Sequence, residues 1–496
     1  MKKLNKKMLS RTTPGWFATF TSDGKWDYPN HISYLDNLLV KFSNRKFKRL
    51  LVNMPPRHGK SEFISKYFPA WYLVNNPSHR IILSSYSAAF ATLWGRNVKD
   101  IIDSFGEKLF GINLRKDVKG AGDFIIEKYG GGMCSVGARG SITGRGADLF
   151  IIDDPVKNEM ESFSQRMRDN LWNWFNATAF TRLEPDGLMI IIMTRWHEDD
   201  ISGRIMKNFN VIKNIDITDD SIIIPDNSWL QVSLPLIATE NDILGRNEGE
   251  PLWPQRFNKN SVLNIKSTVC SYWFSAMYQQ EPISASGNIF RRKFFQYFES
   301  DNNFYYLHTF NSEKITRYKS DCIKYATIDL AVTTNESSDY TVAVIFAVTK
   351  TKEILILEVQ REKIEGAEHL NFIQNIFYKW KPAQIGVEAV QYQVSLVQSA
   401  LKAGLPVNKL SAHNNKIARA LGIASYLEGG RVFFMQNAHW LNDFEEELLN
   451  FPNGQHDDMV DAFAYIANIV EIQSNNMPAG KKQHELPGSK ISSNFL

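Results

Sequence analysis

Gly59, Lys60 and Ser61 stand in a row in the stretch NMPPRHGKSE, between an apolar run, RLLVNM, and a helix-forming one. A helix N-terminus aims backbone N–H groups at an anion. A lysine placed there reaches terminal phosphates, and the hydroxyl after it binds Mg²⁺. The usual phosphate-loop pattern begins with glycine where this chain has Met54, and Pro55 and Pro56 stiffen the loop behind it. Taken alone, the stretch is equally a capped helix start with a surface lysine. Further on, DLFIIDDP puts Asp153 and Asp154 at the end of an apolar strand. Asp153 suits a water-mediated hold on Mg²⁺, and Asp154 suits orienting or deprotonating an attacking water. The plainer alternative is an ordinary turn before proline. MIIIMTRWHEDD closes another core strand with Thr194 and Arg195, and Arg195 either senses a γ-phosphate or forms a strand-end salt bridge. The glycine-rich stretch GARGSITGRGAD carries Arg139 and Arg145, suited to DNA phosphates or to a neighbouring subunit's nucleotide.

A second set of groups is acidic. Asp329 lies in the apolar stretch YATIDLA, Glu388 takes an equivalent place in QIGVEAV, and GQHDDMVDAFAYIANIV opens a helix with Asp457, Asp458 and Asp461. Asp457 and Asp461 are one turn apart and can share a face. Burying carboxylates together is costly unless a cation neutralises them. Two hard divalent ions, Mg²⁺ or Mn²⁺, would do so and could cleave a phosphodiester. Singly, Asp457 or Asp458 is also a plain N-cap, and Asp339 in NESSD reads as a loop residue. Lys416 and Arg419 in NKIARA face either nucleic-acid phosphates or solvent. A meander with acids on its first and fourth strands and on the last helix is the ribonuclease H-like nuclease plan.

The elements that must position these groups follow from length and patterning. The 496 residues exceed one ordinary core. Apolar runs alternate with helical stretches from Leu51 to about Thr194, which predicts a mostly parallel sheet covered on both faces. Residues 1–255 are expected to form an N-terminal domain, its first 45 residues basic and helical. Residues 256–300 read as an aromatic linker, 301–473 as a mixed-sheet domain with three antiparallel strands from about Lys324, and 474–496 as a flexible tail. The net charge of +4 does not by itself identify a nucleic-acid binder. Three scattered cysteines give neither a disulfide framework nor a zinc knuckle and fit a reducing cytoplasm. The basic N-terminus lacks the apolar segment of a signal peptide, and the apolar runs are too short to span a membrane.

In this order, MPPRHGKSE, TGRGADLFIIDDP, IIMTRWHEDD, YQQEP, ATIDLA, GVEA and HDDMVDA resemble the large terminase subunit of tailed bacteriophages, over roughly residues 30–475. The resemblance implies a P-loop (ASCE-type) ATPase followed by a ribonuclease H-like nuclease. It implies that ATP with Mg²⁺ sits on Pro56, Arg57, His58, Gly59, Lys60, Ser61 and Asp153, with Asp154 as catalytic carboxylate and Thr194 in the coupling motif. Many members have glutamate in place of Asp154. Asp329, Glu388 and one or both of Asp457 and Asp458 match the nuclease metal ligands. The implied partners are double-stranded DNA, the portal protein, a small terminase subunit and further copies in a pentameric ring on the prohead in the host cytoplasm. The free subunit would be monomeric, and Arg139 or Arg145 would complete a neighbour's ATP site. The alternatives are a recombination or repair nuclease driven by ATP, whose further helicase motifs are not seen, and an inactive DNA-binding prophage remnant.

Overall fold

The structure, a computed structural model, describes residues 8–118, 120–140, 142, 144–213, 224–283, 289–331, 340–388, 393–410, 415–454 and 456–475. The chain divides into two units. The first is Met1–Phe294 with Asn414–Arg431 and Leu449–Asn453, and the second is Phe295–His413 with Val432–Leu448 and Gly454–Leu496.

The first unit is built on strands β1 (Arg49–Asn53), β2 (Arg80–Ser85), β3 (Phe124–Ile125), β4 (Gly132–Gly137), β5 (Ala147–Asp153), β6 (Leu183–Met193), β7 (Val211–Lys213) and β8 (Trp229–Ser233). Among the described residues they lie in the order β3-β4-β2-β5-β6-β1-β8-β7. All neighbours are parallel except β3 and β4. The period-two alternation of a strand sends Leu50, Val52, Ile81, Leu83, Ile190 and Ile192 into one core. Leu51, Ile82, Met189, Ile191 and Met193 enter the other. Both faces are therefore buried, which is why these runs are continuously apolar. Helices Pro14–Thr21 and Asn30–Ser43 join the first of these cores through Phe17, Leu35, Leu38, Leu39 and Phe42. The parallel order brings the C-terminal ends of β1, β6 and β5 side by side at one edge, where ligands of open parallel sheets sit.

The second unit holds β9 (Gln296–Ser300), β10 (Phe304–His308), β11 (Lys314–Tyr318), β12 (Ile323–Asp329), β13 (Thr341–Val348), β14 (Ile354–Glu362), β15 (Gln384–Glu388), β16 (Val407–Leu410) and β17 (Val432–Met435). Their order is β11-β10-β9-β17-β14-β13-β12-β15-β16. The expected meander is β12-β13-β14, antiparallel throughout. Helix His369–Trp380 then carries the chain over to β15, which pairs parallel with β12. The antiparallel strands β9–β11 lie across a stretch read from sequence partly as linker.

Helix Lys416–Glu428 falls inside the 301–473 stretch of the sequence, yet it packs in the first unit. Its Leu421 joins Phe163, Cys270, Tyr272 and Ala276 in one cluster. The backbone N–H and hydroxyl of Ser271 donate to the Glu428 carboxylate at 2.7 and 2.8 Å.

Candidate active sites

At the shared edge of the first sheet, β1 runs into the loop Met54–Gly59 and then a helix from Lys60. Met54, at the position of the missing glycine, is fully buried. Its N–H donates to the Met193 carbonyl at 3.3 Å, and its own carbonyl accepts the Thr194 hydroxyl at 3.1 Å. The loop is thus pinned at its start by a core side chain, whose burial contributes about 1.5–3 kcal/mol. Arg57 is exposed at φ 62°, a left-handed conformation that costs a non-glycine residue about 1–3 kcal/mol. Among the described residues it pairs with no acid. Gly59 follows at φ 84°, where a side chain would add strain.

Two histidines hold the loop from below. The Nε2 of His31 lies 2.9 Å from the His58 carbonyl, and the Nδ1 of His58 lies 2.8 Å from the Pro56 carbonyl. Each ring donates one N–H to a carbonyl, and among the described residues the other nitrogen of His58, Nε2, is buried without a hydrogen-bond partner. Burial lowers both to about 4, so both are neutral at ordinary pH.

The charged groups meet just above. Ser61 and Ser65 donate their hydroxyls to the two oxygens of Asp153, each at 2.8 Å. Burial, and next the Asp154 charge, push Asp153 up to about 7, against the opposing pull of Lys60, Ser61 and Ser65. Asp154 follows at φ 41°. It pairs with Lys60 Nζ at 2.7 Å and accepts the Thr194 N–H at 2.9 Å. Lys60, Ser61, Asp153, Asp154 and Thr194 therefore form one connected group drawn from three strand ends. A hydroxyl beside a carboxylate is a hard-oxygen donor pair of the kind Mg²⁺ takes. A cavity of about 560 Å³ adjoins Gly59 and is lined by Trp26, Tyr67, Lys66 and Trp253.

Three arginines lie differently. Arg195, read as either phosphate sensor or salt bridge, is buried with Nε donating to both oxygens of Asp200 at 3.1 and 2.9 Å. The salt bridge is what the structure shows. Its backbone N–H donates to the side chain of Gln280, at 3.2 Å. Gln280 lies in YQQEP, a role the residue types alone do not reveal. Arg139 pairs with Glu161 at 3.2 Å and Arg145 with Asp123 at 3.0 Å, each within its own chain. Arg419 is buried on helix Lys416–Glu428, while Lys416 is exposed at its start.

In the second unit, Asp329 ends β12 and Glu388 ends the adjacent β15, with Ile328 opposite Val387. Asp458 and Asp461, both buried, lie on helix Asp458–Ala464, which packs on β12 and β13. Burial and the charges of Asp461, Glu388 and Asp458, in that order, hold Asp329 well above the usual carboxylate range. Asp461 thus presses on Asp329 more than Asp458 does. Asp457 is the N-cap residue of that helix. Asp339 lies outside the described residues. Asp458 accepts the Tyr340 N–H at 3.2 Å and lies 3.9 Å from Arg361. Glu447 is also buried and raised to about 7, by burial first.

Carboxylate oxygens are the ligands a hard divalent cation takes. As placed, no three His, Cys, Asp or Glu side chains among the described residues form a ready-made ion site.

Fold and sites define a phosphate-binding-loop sheet joined in one chain to a ribonuclease H-like sheet carrying a row of acids. Residues 51–296 match the family model described as terminase large subunit, T4likevirus-type, N-terminal, and residues 326–468 match the terminase RNaseH-like domain. The chain belongs to the large terminase family. Among solved structures it is similar to the large terminase of a thermophilic bacteriophage in complex with ADP, at 10% identity and TM-score 0.47, over 88% of this chain and 98% of that one. The large terminase of bacteriophage HK97 matches at 12% identity and TM-score 0.34, over 80% and 85%. The large terminase nuclease of the thermophilic phage G20c with bound magnesium matches at 15% identity and TM-score 0.27, over 37% and 98%. No curated protein matches the sequence. No described helix is long and apolar enough to cross a membrane.

Proposed function

We propose that this chain is a DNA-packaging motor subunit that hydrolyses ATP in its first unit and cuts double-stranded DNA in its second. The observation that carries the reading is the connected group Lys60–Asp154–Thr194 with Ser61–Asp153 at the ends of three adjacent parallel strands. In this reading the loop from Pro56 through Arg57, His58 and Gly59 wraps the phosphates. Lys60 exchanges its pairing with Asp154 for a phosphate oxygen. That exchange frees the Asp154 carboxylate to orient the attacking water and accept its proton. Thr194 reports the change to the loop, because it bonds both Asp154 and Met54. Mg²⁺ on Ser61 and Asp153 would neutralise charge on the transferred phosphoryl group. The cavity beside Gly59 falls in the size range of small-ligand sites and offers Trp26, Tyr67 and Trp253 to the nucleoside. Arg139 or Arg145 of a neighbouring copy, released from its own acid, would complete the site in a pentameric ring of otherwise monomeric subunits.

In the second unit Asp329, Glu388, Asp458 and Asp461 would hold two divalent cations, Mg²⁺ or Mn²⁺, with Asp457 next to them in the chain at the N-cap position of the helix. The cations would supply an activated water and stabilise the leaving oxygen of a phosphodiester. The chain's own part is to hold the acids at the ends of β12 and β15 and on the helix above them. Docked on the portal of a prohead in the host cytoplasm, with a small terminase subunit as partner, such a protein drives DNA inward and cuts the concatemer at the start and end. The domain limits 1–255, 256–300 and 301–473 remain the proposed functional divisions, with helix Lys416–Glu428 structurally in the first unit.

The test is a paired assay on purified protein: DNA-stimulated ATP turnover, and plasmid cleavage in Mg²⁺ or Mn²⁺. Lys60→Ala is expected to lose ATP turnover by about a hundredfold or more and to keep cleavage. Asp329→Ala is expected to show the reverse. Turnover surviving in Asp153→Ala, or cleavage surviving in Asp329→Ala, would overturn the corresponding assignment.

A further inference from the structure

Helix Asp458–Ala464 carries two of the acids of the second unit, and something must fix its position over β12 and β13. Its N-cap residue, Asp457, makes no side-chain hydrogen bond to the helix's own first turn. The cap comes from elsewhere. Glu447, on helix Leu441–Asn450, accepts the backbone N–H groups of Met459 at 2.7 Å and Val460 at 3.1 Å through one oxygen. Those are the second and third helical residues, the donors that an N-cap side chain ordinarily serves. The other Glu447 oxygen lies 3.8 Å from Arg361 Nη2, which is 3.9 Å from Asp458. The Arg361 guanidinium stacks 3.9 Å over the Tyr340 ring, and the Tyr340 N–H in turn bonds Asp458.

The placement of Arg361 follows from strand register. Asp329 pairs with Val342, and Val342 with Arg361. Residues paired across strands point to the same face, so Arg361 lies in the row of Asp329, two strands away. One half-buried guanidinium thus stands between two buried carboxylates that would otherwise repel each other.

We propose that Glu447 is a positioning residue of the nuclease: it caps the acid-bearing helix from a neighbouring helix and so sets Asp458 and Asp461 against Asp329, with Arg361 as its counter-charge. The proposal rests on the two-cation reading of this unit. What matters in it is reach. A glutamine at 447 keeps an acceptor oxygen at the same distance, whereas an aspartate keeps the charge but falls one methylene short.

The experiment measures Mn²⁺ binding by calorimetry on the full chain, with amide exchange at Met459 and Val460, in Glu447→Gln and Glu447→Asp. Groups that orient metal ligands typically govern about ten- to a hundredfold in metal affinity, so Glu447→Asp is expected to weaken Mn²⁺ binding by that factor while Glu447→Gln stays within about threefold of the parent. Exchange at the two amides should quicken in Glu447→Asp, with ATP turnover unchanged in both. An aspartate variant that binds like the parent overturns the proposal, as does a glutamine variant weakened as much as the aspartate one. A parent chain that binds no Mn²⁺ would instead sink the two-cation reading and the proposal with it.

Discussion

Thr194 joins the two halves of the first site, because its backbone N–H holds Asp154 and its hydroxyl holds the Met54 carbonyl. Thr194→Val keeps the shape and the N–H but removes the hydroxyl. The Met54 carbonyl loses that donor in the core, a change costing about 1–3 kcal/mol. If the same bond carries the loop through hydrolysis, ATP turnover should fall about tenfold, the equivalent of about 1.4 kcal/mol in the barrier. Thr194→Ser should restore most of it. Turnover and thermal melts of the two variants check this, and full turnover in Thr194→Val would remove the coupling role. At this scale Lys60, Ser61, Asp153 and Thr194 are legible in the sequence because each ends or follows an apolar run. The acids of the second unit are legible only as a set. Spacing puts Asp457 and Asp461 one turn apart, but it does not say that the helix begins at Asp458, with Asp457 at the N-cap position. Glu447 escapes a reading of the sequence although it gives a signal: it lies beside the buried Phe444 and Leu448 on its helix, where an acid must find a partner.

The phosphate-binding loop is an element whose stability should depend on pH, through His31 and His58. In the unfolded chain both rings take up protons below about 6.5. In the folded chain burial holds them neutral down to about 4. Between those values the unfolded state binds more protons, so stability falls as pH drops from about 6.5 towards about 4. Two such groups together contribute several kcal/mol, since each loses about 1.4 kcal/mol for every pH unit crossed in that window. Asp153 and Glu447, raised to about 7, contribute with the opposite sign over the same range, so the expected reading is a difference: between about pH 6.5 and 5 the melting temperature of the nucleotide-free parent should fall relative to that of His31→Gln/His58→Gln. Equal slopes would show that the acid sensitivity lies elsewhere. The loop's flanking strands can be read from sequence because both faces of the sheet are buried, which makes the runs continuously apolar. Strands β9–β11 cannot. QYFES, FYYLH and KITRY mix aromatic and charged residues without clean alternation, and β11 alternates only between exposed and half-buried positions.

Across the whole molecule, order along the chain and membership of a unit do not coincide. Helix Lys416–Glu428 follows β16 of the second sheet, yet its Leu421 is buried against Phe163 and Tyr272 of the first unit. Its amphipathic pattern is visible in the sequence, but no local feature identifies a partner some 250 residues earlier. A fragment ending at Phe294 would therefore lack part of its own core, exposing Phe163, Cys270 and Ala276. Leu421→Ala in the full chain tests the same point more gently. Truncating a buried leucine costs about 2–5 kcal/mol, and each kcal/mol lowers the melting point of a domain of this size by about 2–4 °C. In calorimetry the loss should fall on the transition that Mg²⁺–ATP shifts upward, although position 421 lies in the stretch expected from sequence to belong to the nuclease. The transition that Mn²⁺ shifts should stay where it is. If Leu421→Ala lowers the Mn²⁺-sensitive transition instead, the helix belongs energetically to the second unit, and a cut after Phe294 should leave the ATPase unit intact.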